Sequence, residues 1–307
     1  MKKSVIVLAL AALTFSACQK FQESEGGMLY KVVTDNGQEK IKEGDFVSFG
    51  AVIKTDGDST LLSTYDSGQP SFMAVQTPMF AGDIMSAFLK LGSGDSAIFK
   101  LNIDSMEAHG MPRPEETKGT HIVYELKINH VIPKGELTDS VFHSQIEKYI
   151  EAEQEKVKGA EADNIKKYIE KNKLNVQTTE SGINYVIEKE GKGPLARVGD
   201  TVLVDYTGRF LHGKAFDTSI EETAKKENLF DQRRPYEAIR IPAGLGNVIP
   251  GWDEALTTFP EGTKALIILP SKLAYGEQGA MTIGPYTPLV FEIDIVDVIP
   301  QKGATEE

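Results

Sequence analysis

The chain repeats itself, and that limits its fold more than any other feature. Gly27-Met28-Leu29-Tyr30 returns as Gly182-Ile183-Asn184-Tyr185, 155 positions later, and Gly44-Asp45 returns as Gly199-Asp200 at the same offset. Further on, Leu91-Gly92-Ser93-Gly94-Asp95 corresponds to Phe259-Pro260-Glu261-Gly262-Thr263 at 168, and His130-Val131-Ile132-Pro133 to Asp297-Val298-Ile299-Pro300 at 167. The 307 residues therefore hold two copies of one fold, at 27–134 and 180–301. The second copy has 13 more residues, the difference between 155 and 168, and the charged stretch from Ser219 to Tyr236 is the place for them. A mobile, solvated loop is expected there.

Each copy reads mostly as strand. Thr201 to Tyr206 and Val290 to Val298 alternate apolar and polar residues, the period of a sheet buried on one face. Gly251 to Leu256 suits one short helix, and Lys264 to Leu269 is an apolar run closed by Pro270. The expected class is α+β, with an antiparallel sheet wrapped on a short helix in each copy. The segment 135–179 differs from both. Thr138 can cap a helix carrying Val141, Phe142, Ile146, Tyr149 and Ile150; Gly159 interrupts it; Asp163 can start another with Ile165, Tyr168 and Ile169. Two helices forming a solvated spacer is the preferred reading; the other is a helix for homo-oligomerisation or an arm that sets the spacing of the two domains.

The first residues, MKKSVIVLALAALTFSACQK, place two lysines before a short apolar run and small residues before Cys18. This is the pattern of a secretory signal at 1–17. Cys18 is the sole cysteine, so no disulfide can form within one chain. Small residues directly before a cysteine resemble the bacterial lipobox, which implies a lipid on Cys18, a tether over 18–26 and attachment to a membrane of the cell envelope. The outer membrane, facing the periplasm, is the expected location. The net charge of −12 argues against a nucleic-acid partner, which needs basic residues to neutralise phosphates. Residues 302–307 read as a tail.

The five histidines form no pair at metal-ligand spacing, and no Gly-x-Ser-x-Gly elbow or dinucleotide fingerprint occurs. No metal or cofactor is expected. What remains is aromatic. In the second copy Tyr206-Thr207-Gly208, Gly213-Lys214, Phe216-Asp217, Val248-Ile249 with Gly251-Trp252, Ala274-Tyr275-Gly276 and Leu289-Val290-Phe291 stand in order. In this order and spacing the segment 180–301 resembles the FKBP-type peptidyl-prolyl isomerases. Taken singly, Trp252 reads as a core residue and Asp217 as a turn residue. The set reverses that.

The resemblance implies two FKBP-like domains joined by a helical connector. It implies a proline-ring cup in the second, lined by Tyr206, Phe216, Val248, Ile249, Trp252, Tyr275 and Phe291. Trp252 would be its floor, Asp217 and the Tyr206 hydroxyl polar groups of its wall, and Ile283 would overhang it. The Ile249 N–H and the Tyr275 hydroxyl would hold substrate carbonyls. The implied activity is cis/trans isomerisation of X-Pro bonds in unfolded or maturing exported proteins; the alternative is a non-catalytic chaperone using the same apolar cups. By the offsets above, the first copy has Ala51 for Tyr206, Ile84 for Trp252, Glu107 for Tyr275 and Tyr124 for Phe291; Leu62 and Ser63 are set for Phe216 and Asp217, since Tyr65-Asp66-Ser67-Gly68 then follows as a turn. The cup is emptied there, and no catalysis is expected of it.

Overall fold

The computed structural model describes residues 20–67, 69–113, 117 and 119–301. Cys18, the signal segment and the tail lie outside the described residues. The chain divides into two compact units. One takes in the described residues up to Val47, with Val52–Leu62 and Ala74–Val131; the other takes in Ser48–Ala51, Ser63–Met73 and the chain from Ile132 on.

The first sheet has seven strands: β1 (Gln22–Glu23), β2 (Leu29–Thr34), β3 (Phe46–Thr55), β4 (Thr60–Ser63), β5 (Ser71–Ala74), β6 (Ser96–Asn102) and β7 (His121–Ile132). Their order is β1-β2-β6-β7-β3-β4, with β5 also on β3. Helices α1 (Ile84–Phe88) and α2 (Ile103–Ala108) interrupt them. Asp83 caps α1 by accepting from the Ser86 N–H at 2.9 Å. Val47, Ala87, Phe88, Leu91, Phe99, Ile122, Leu126 and Ile128 are buried.

The chain continues through α3 (Asp139–Lys171) and a second seven-stranded sheet: β8 (Gln177–Thr178), β9 (Asn184–Lys189), β10 (Thr201–Phe210), β11 (Ala215–Thr218), β12 (Ile239–Pro242), β13 (Lys264–Leu269) and β14 (Leu289–Ile299). The order is β11-β10-β14-β13-β9-β8, with β12 also on β10. Helix α4 (Glu221–Lys226) follows β11, and α5 (Pro250–Thr258) packs on one face of the sheet. Alternation along β14 sends Leu289, Phe291, Ile293 and Ile295 to that face. Ile268 and Val290 point to the other, where Ile165 of α3, 8% exposed, covers them. From Ala265 to Leu269 the strand is apolar throughout because both its faces are covered.

The two halves share hydrogen bonds as well as motifs. Gly44 N–H donates to Val75 O and Val75 N–H to Asp45 O; Gly199 N–H donates to Ala243 O and Ala243 N–H to Asp200 O. Ala51 N–H donates to Thr64 Oγ1 at 2.8 Å, and Tyr206 N–H to Ser219 Oγ at 2.9 Å. The extra residues of the second copy thus enter between Ser219 and Ala243. Tyr30 bonds Gln22 through its hydroxyl, and Tyr185 bonds Gln177, both at 2.8 Å. The shared plan therefore begins at Gln22 and Gln177, inside the segments read as tether and connector. Two-residue edge strands carry no period that a sequence can show.

The connector also differs from its reading. It is one helix, Asp139–Lys171, running through Gly159. A mid-helix glycine costs about 1 kcal/mol relative to alanine, which the burial of Ile165 against the sheet offsets. Over its C-terminal part α3 is a packed element rather than a solvated spacer.

Candidate active site

Five elements of the second sheet and its helix enclose a cleft of about 480 Å³. Strand β10 supplies Tyr206, β11 supplies Phe216 and Asp217, β12 supplies Ile239 and β14 supplies Phe291. The start of α5 brings Val248, Ile249 and Trp252, and the loop after β13 brings Ala274 and Tyr275. Tyr206 and Trp252 meet edge to face at 5.1 Å between ring centroids, Trp252 and Phe291 at 5.3 Å, and Phe216 and Phe291 at 5.8 Å. Trp252 is 5% exposed, which makes it the floor. Gly208 lies opposite both Asp217 and Phe291. A Cβ there would stand 2.6 Å from Phe216 Cζ and 2.9 Å from Phe291 Cε1, so only glycine lets the two rings close over β10.

The polar groups of the wall satisfy one another. The Tyr206 hydroxyl donates to Asp217 Oδ2, and Arg234 Nη1 donates to Asp217 Oδ1. Arg234 Nη2 donates to the Tyr206 hydroxyl at 3.2 Å. Burial, then the bond to Asp217, pushes the Tyr206 phenol well above its ordinary value, so it stays neutral. The bond to Asp217 holds the Arg234 guanidinium above its own. The remaining lining is mostly ring and aliphatic surface, which suits an apolar, uncharged ring.

Residues 193–296 match the family model described as "FKBP-type peptidyl-prolyl cis-trans isomerase". The C-terminal domain belongs to this family. The chain is also similar to the FKBP-type 22 kDa peptidyl-prolyl cis-trans isomerase of Escherichia coli K12, at 37% identity over 136 residues, 43% of this chain and 59% of that protein. It thus spans less than two thirds of that relative. Similarity to FkpA of Escherichia coli K12 is 26% over 243 residues, 78% of this chain and 84% of that protein. The crystal structure of FkpA from Escherichia coli aligns at 30% identity over 54% of this chain and 76% of that one, with a TM-score of 0.38.

Within the FKBP-type domain the structure brings Tyr206, Phe216, Asp217, Val248, Ile249, Trp252, Tyr275 and Phe291 to one cleft. Ile249 caps α5, with its carbonyl accepting from Trp252 and Asp253 N–H groups, and its own N–H stands ahead of the helical ladder. Tyr275 is 37% exposed at the rim, its hydroxyl pushed up by burial and by the Asp217 charge. Ile283 is not one of these eight. It is buried in the core cluster, bridged to Ala280 by paired backbone bonds, and is not among the residues lining the cleft.

Arg234 is the residue that sequence reasoning missed. The insertion read as mobile and solvated is folded. Ala224 of α4 is fully buried, Glu227 pairs with Arg209 at 2.9 Å, and Phe230 stacks on Tyr236 at 5.4 Å. This packing brings Arg234, just before β12, onto Asp217 and the Tyr206 hydroxyl of the cleft wall. Its position directly ahead of Pro235 and the next strand was the available signal.

The first copy needs one correction of register. Because Thr64 stands where Ser219 does, Leu61 and Leu62 occupy the places of Phe216 and Asp217, one residue earlier than expected. The expected register rested on a turn at Tyr65-Asp66-Ser67-Gly68; the bond from Ala51 N–H to Thr64 Oγ1 moves it by one residue. Both leucines are exposed, at 44% and 49%. Ala51 is buried in place of Tyr206. Phe99 pairs with Tyr124 in β6 and β7 as Ile267 pairs with Phe291 in β13 and β14, which places Tyr124 at the Phe291 position.

Proposed function

We propose that the protein is a peptidyl-prolyl cis-trans isomerase, working through its C-terminal FKBP-type domain on X-Pro bonds of exported proteins that are still folding. Rotation about such a bond breaks nothing; its barrier of about 18–20 kcal/mol is amide resonance. The planar amide has more charge separation than the twisted one. A cleft that strips water from the amide favours the twisted form, and groups that hold the flanking carbonyls only in that geometry lower the barrier further. The observation that carries this reading is the cup of Tyr206, Trp252, Phe216 and Phe291, beside a wall in which Asp217, Arg234 and the Tyr206 hydroxyl bond one another. Its polar atoms do not compete with an apolar proline ring.

The lipid on Cys18, anchorage at the outer membrane and the periplasmic location belong to the same proposal and rest on the sequence around Cys18. The test of activity is isomerisation of Phe-Pro and Leu-Pro peptides by the full chain; a rate equal to the uncatalysed one refutes it. A second reading, a holding chaperone, is favoured by the exposed Leu61 and Leu62 at the emptied site of the first copy. Suppressed aggregation of a proline-free client by a chain lacking turnover would support it.

A further inference from the structure

The loop that carries Tyr275 is held from outside its own sheet. Strand β13 ends at Leu269, and Pro270 has no N–H to continue the ladder. The chain then turns through Ser271, Lys272 and Leu273. The Ser271 carbonyl accepts from both Ala274 N–H and Gly276 N–H, each at 2.8 Å. Tyr275 leaves the turn between those two donors, so Ser271 holds the backbone on either side of it.

Ser271 is 3% exposed, and its N–H, at the start of the turn, needs an acceptor from elsewhere. Glu161 of α3 supplies it. The Ser271 N–H donates to Glu161 Oε1, and Ser271 Oγ donates to Glu161 Oε2 at 2.9 Å. Both oxygens of one carboxylate are used, in the stronger, charge-assisted class of hydrogen bond. A second contact lies at the far end of the same loop. Gly276 O accepts from Tyr286 N–H at 2.9 Å, and Lys158 Nζ stands 5.4 Å from the centroid of the Tyr286 ring. Lys158, Glu161 and Ile165 follow at spacings of three and four, so they share one face of α3. Ile165 anchors that face on Ile268 and Val290.

We infer that Glu161 is a positioning residue for the isomerase site: by fixing the Ser271 turn it aims Tyr275 across the cleft. The inference rests on the isomerase reading above. It makes α3 part of the active-site scaffold, so that a displacement of the helix reaches the cleft through one carboxylate.

The test uses the full chain with Glu161→Ala, Glu161→Gln and Ser271→Ala, each read by amide hydrogen exchange at 274–276 and by X-Pro peptide turnover. Glu161→Ala should speed exchange there by about tenfold or more while the rest of the second sheet keeps its protection. It should lower kcat/KM by about threefold to tenfold, with Glu161→Gln intermediate because the amide oxygen still accepts from the Ser271 N–H. Ser271→Ala, which removes only the Oγ bond, should show both changes in weaker form, and serves if Glu161→Ala fails to fold. Exchange unchanged in a folded Glu161→Ala chain, or faster exchange with turnover equal to the wild type, overturns the positioning role. A wild-type chain with no turnover would instead overturn the isomerase reading, so the two failures are distinct.

Discussion

Tyr206, Asp217 and Arg234 bond one another at the wall of a largely apolar cleft, and single substitutions should separate their parts. Phe216→Ala removes ring surface, and Asp217→Val leaves the Tyr206 hydroxyl and the Arg234 guanidinium without their acceptor. Each should lower kcat/KM for an X-Pro peptide at least about tenfold, some 1.4 kcal/mol of transition-state stabilisation, in a domain that still unfolds cooperatively. A pH profile tests the neutral phenol. Tyr206 is held above its ordinary value, mainly by burial, so its neutral form persists past the pH at which a free tyrosine ionises. Turnover by the wild type should therefore show no alkaline fall up to about pH 10 on account of Tyr206. A fall centred near pH 9 in kcat/KM would mean that the buried phenol is not the group at work.

Two elements take roles that their composition hides. Helix α3 reads as charged at mixed spacing, yet Ile165 closes the outer face of β13 and β14. Ile165→Ala should destabilise the C-terminal domain by about 2 kcal/mol, at the low end for a buried Ile because the site is at a helix-sheet seam. Chemical denaturation followed by Trp252 fluorescence measures it. The insertion is the other case. Read as a solvated loop, it would be dispensable for peptide turnover. With α4 buried through Ala224 and Arg234 tied to Asp217, deletion of 222–233 should lower peptide turnover several-fold while the sheet remains folded. Wild-type rates in the deletion would return the segment to a spectator.

Over the whole chain the same plan is used twice with opposite outcomes at the cup. The first copy keeps its core, with Val47, Phe88, Leu91 and Phe99 buried, and loses Tyr206, Phe216, Asp217 and Trp252 to Ala51, Leu61, Leu62 and Ile84. It should contribute no turnover. In the full chain, Phe216→Ala combined with Asp217→Val should therefore leave less than about a tenth of wild-type kcat/KM. A larger remainder would place a second active site in the first copy. Anchoring is decided separately: Cys18→Ser should move the protein from the detergent phase to the soluble or unprocessed fraction, and continued membrane retention after normal cleavage would refute the lipid reading.

The repeat, the strand periods and the order of the aromatic motifs were legible because each is local or strictly offset. Period two in β14 marks which side chains face the core, and a constant spacing of 155 between Gly27 and Gly182 marks one plan used twice. The eight cleft residues could be named from sequence because they lie on regular elements or directly beside them, in motifs whose order carries the resemblance. What the sequence left open depends on contacts between distant positions. Arg234 reaches Asp217 only because α4 packs and returns the chain to β12. Ile283 joins the core cluster that holds Tyr206, Trp252 and Phe291, in a loop that closes on Ala280. Leu61 and Leu62 take their places because one hydroxyl, that of Thr64, bonds Ala51. Glu161 meets Ser271 across 110 positions because Ile165 seats α3 on the sheet. Hydrophobic period is a property of neighbours in the chain, and it settled the long strands and α5; hydrogen bonds between a helix, an insertion and a turn depend on where those elements pack, and only the tertiary structure decided them.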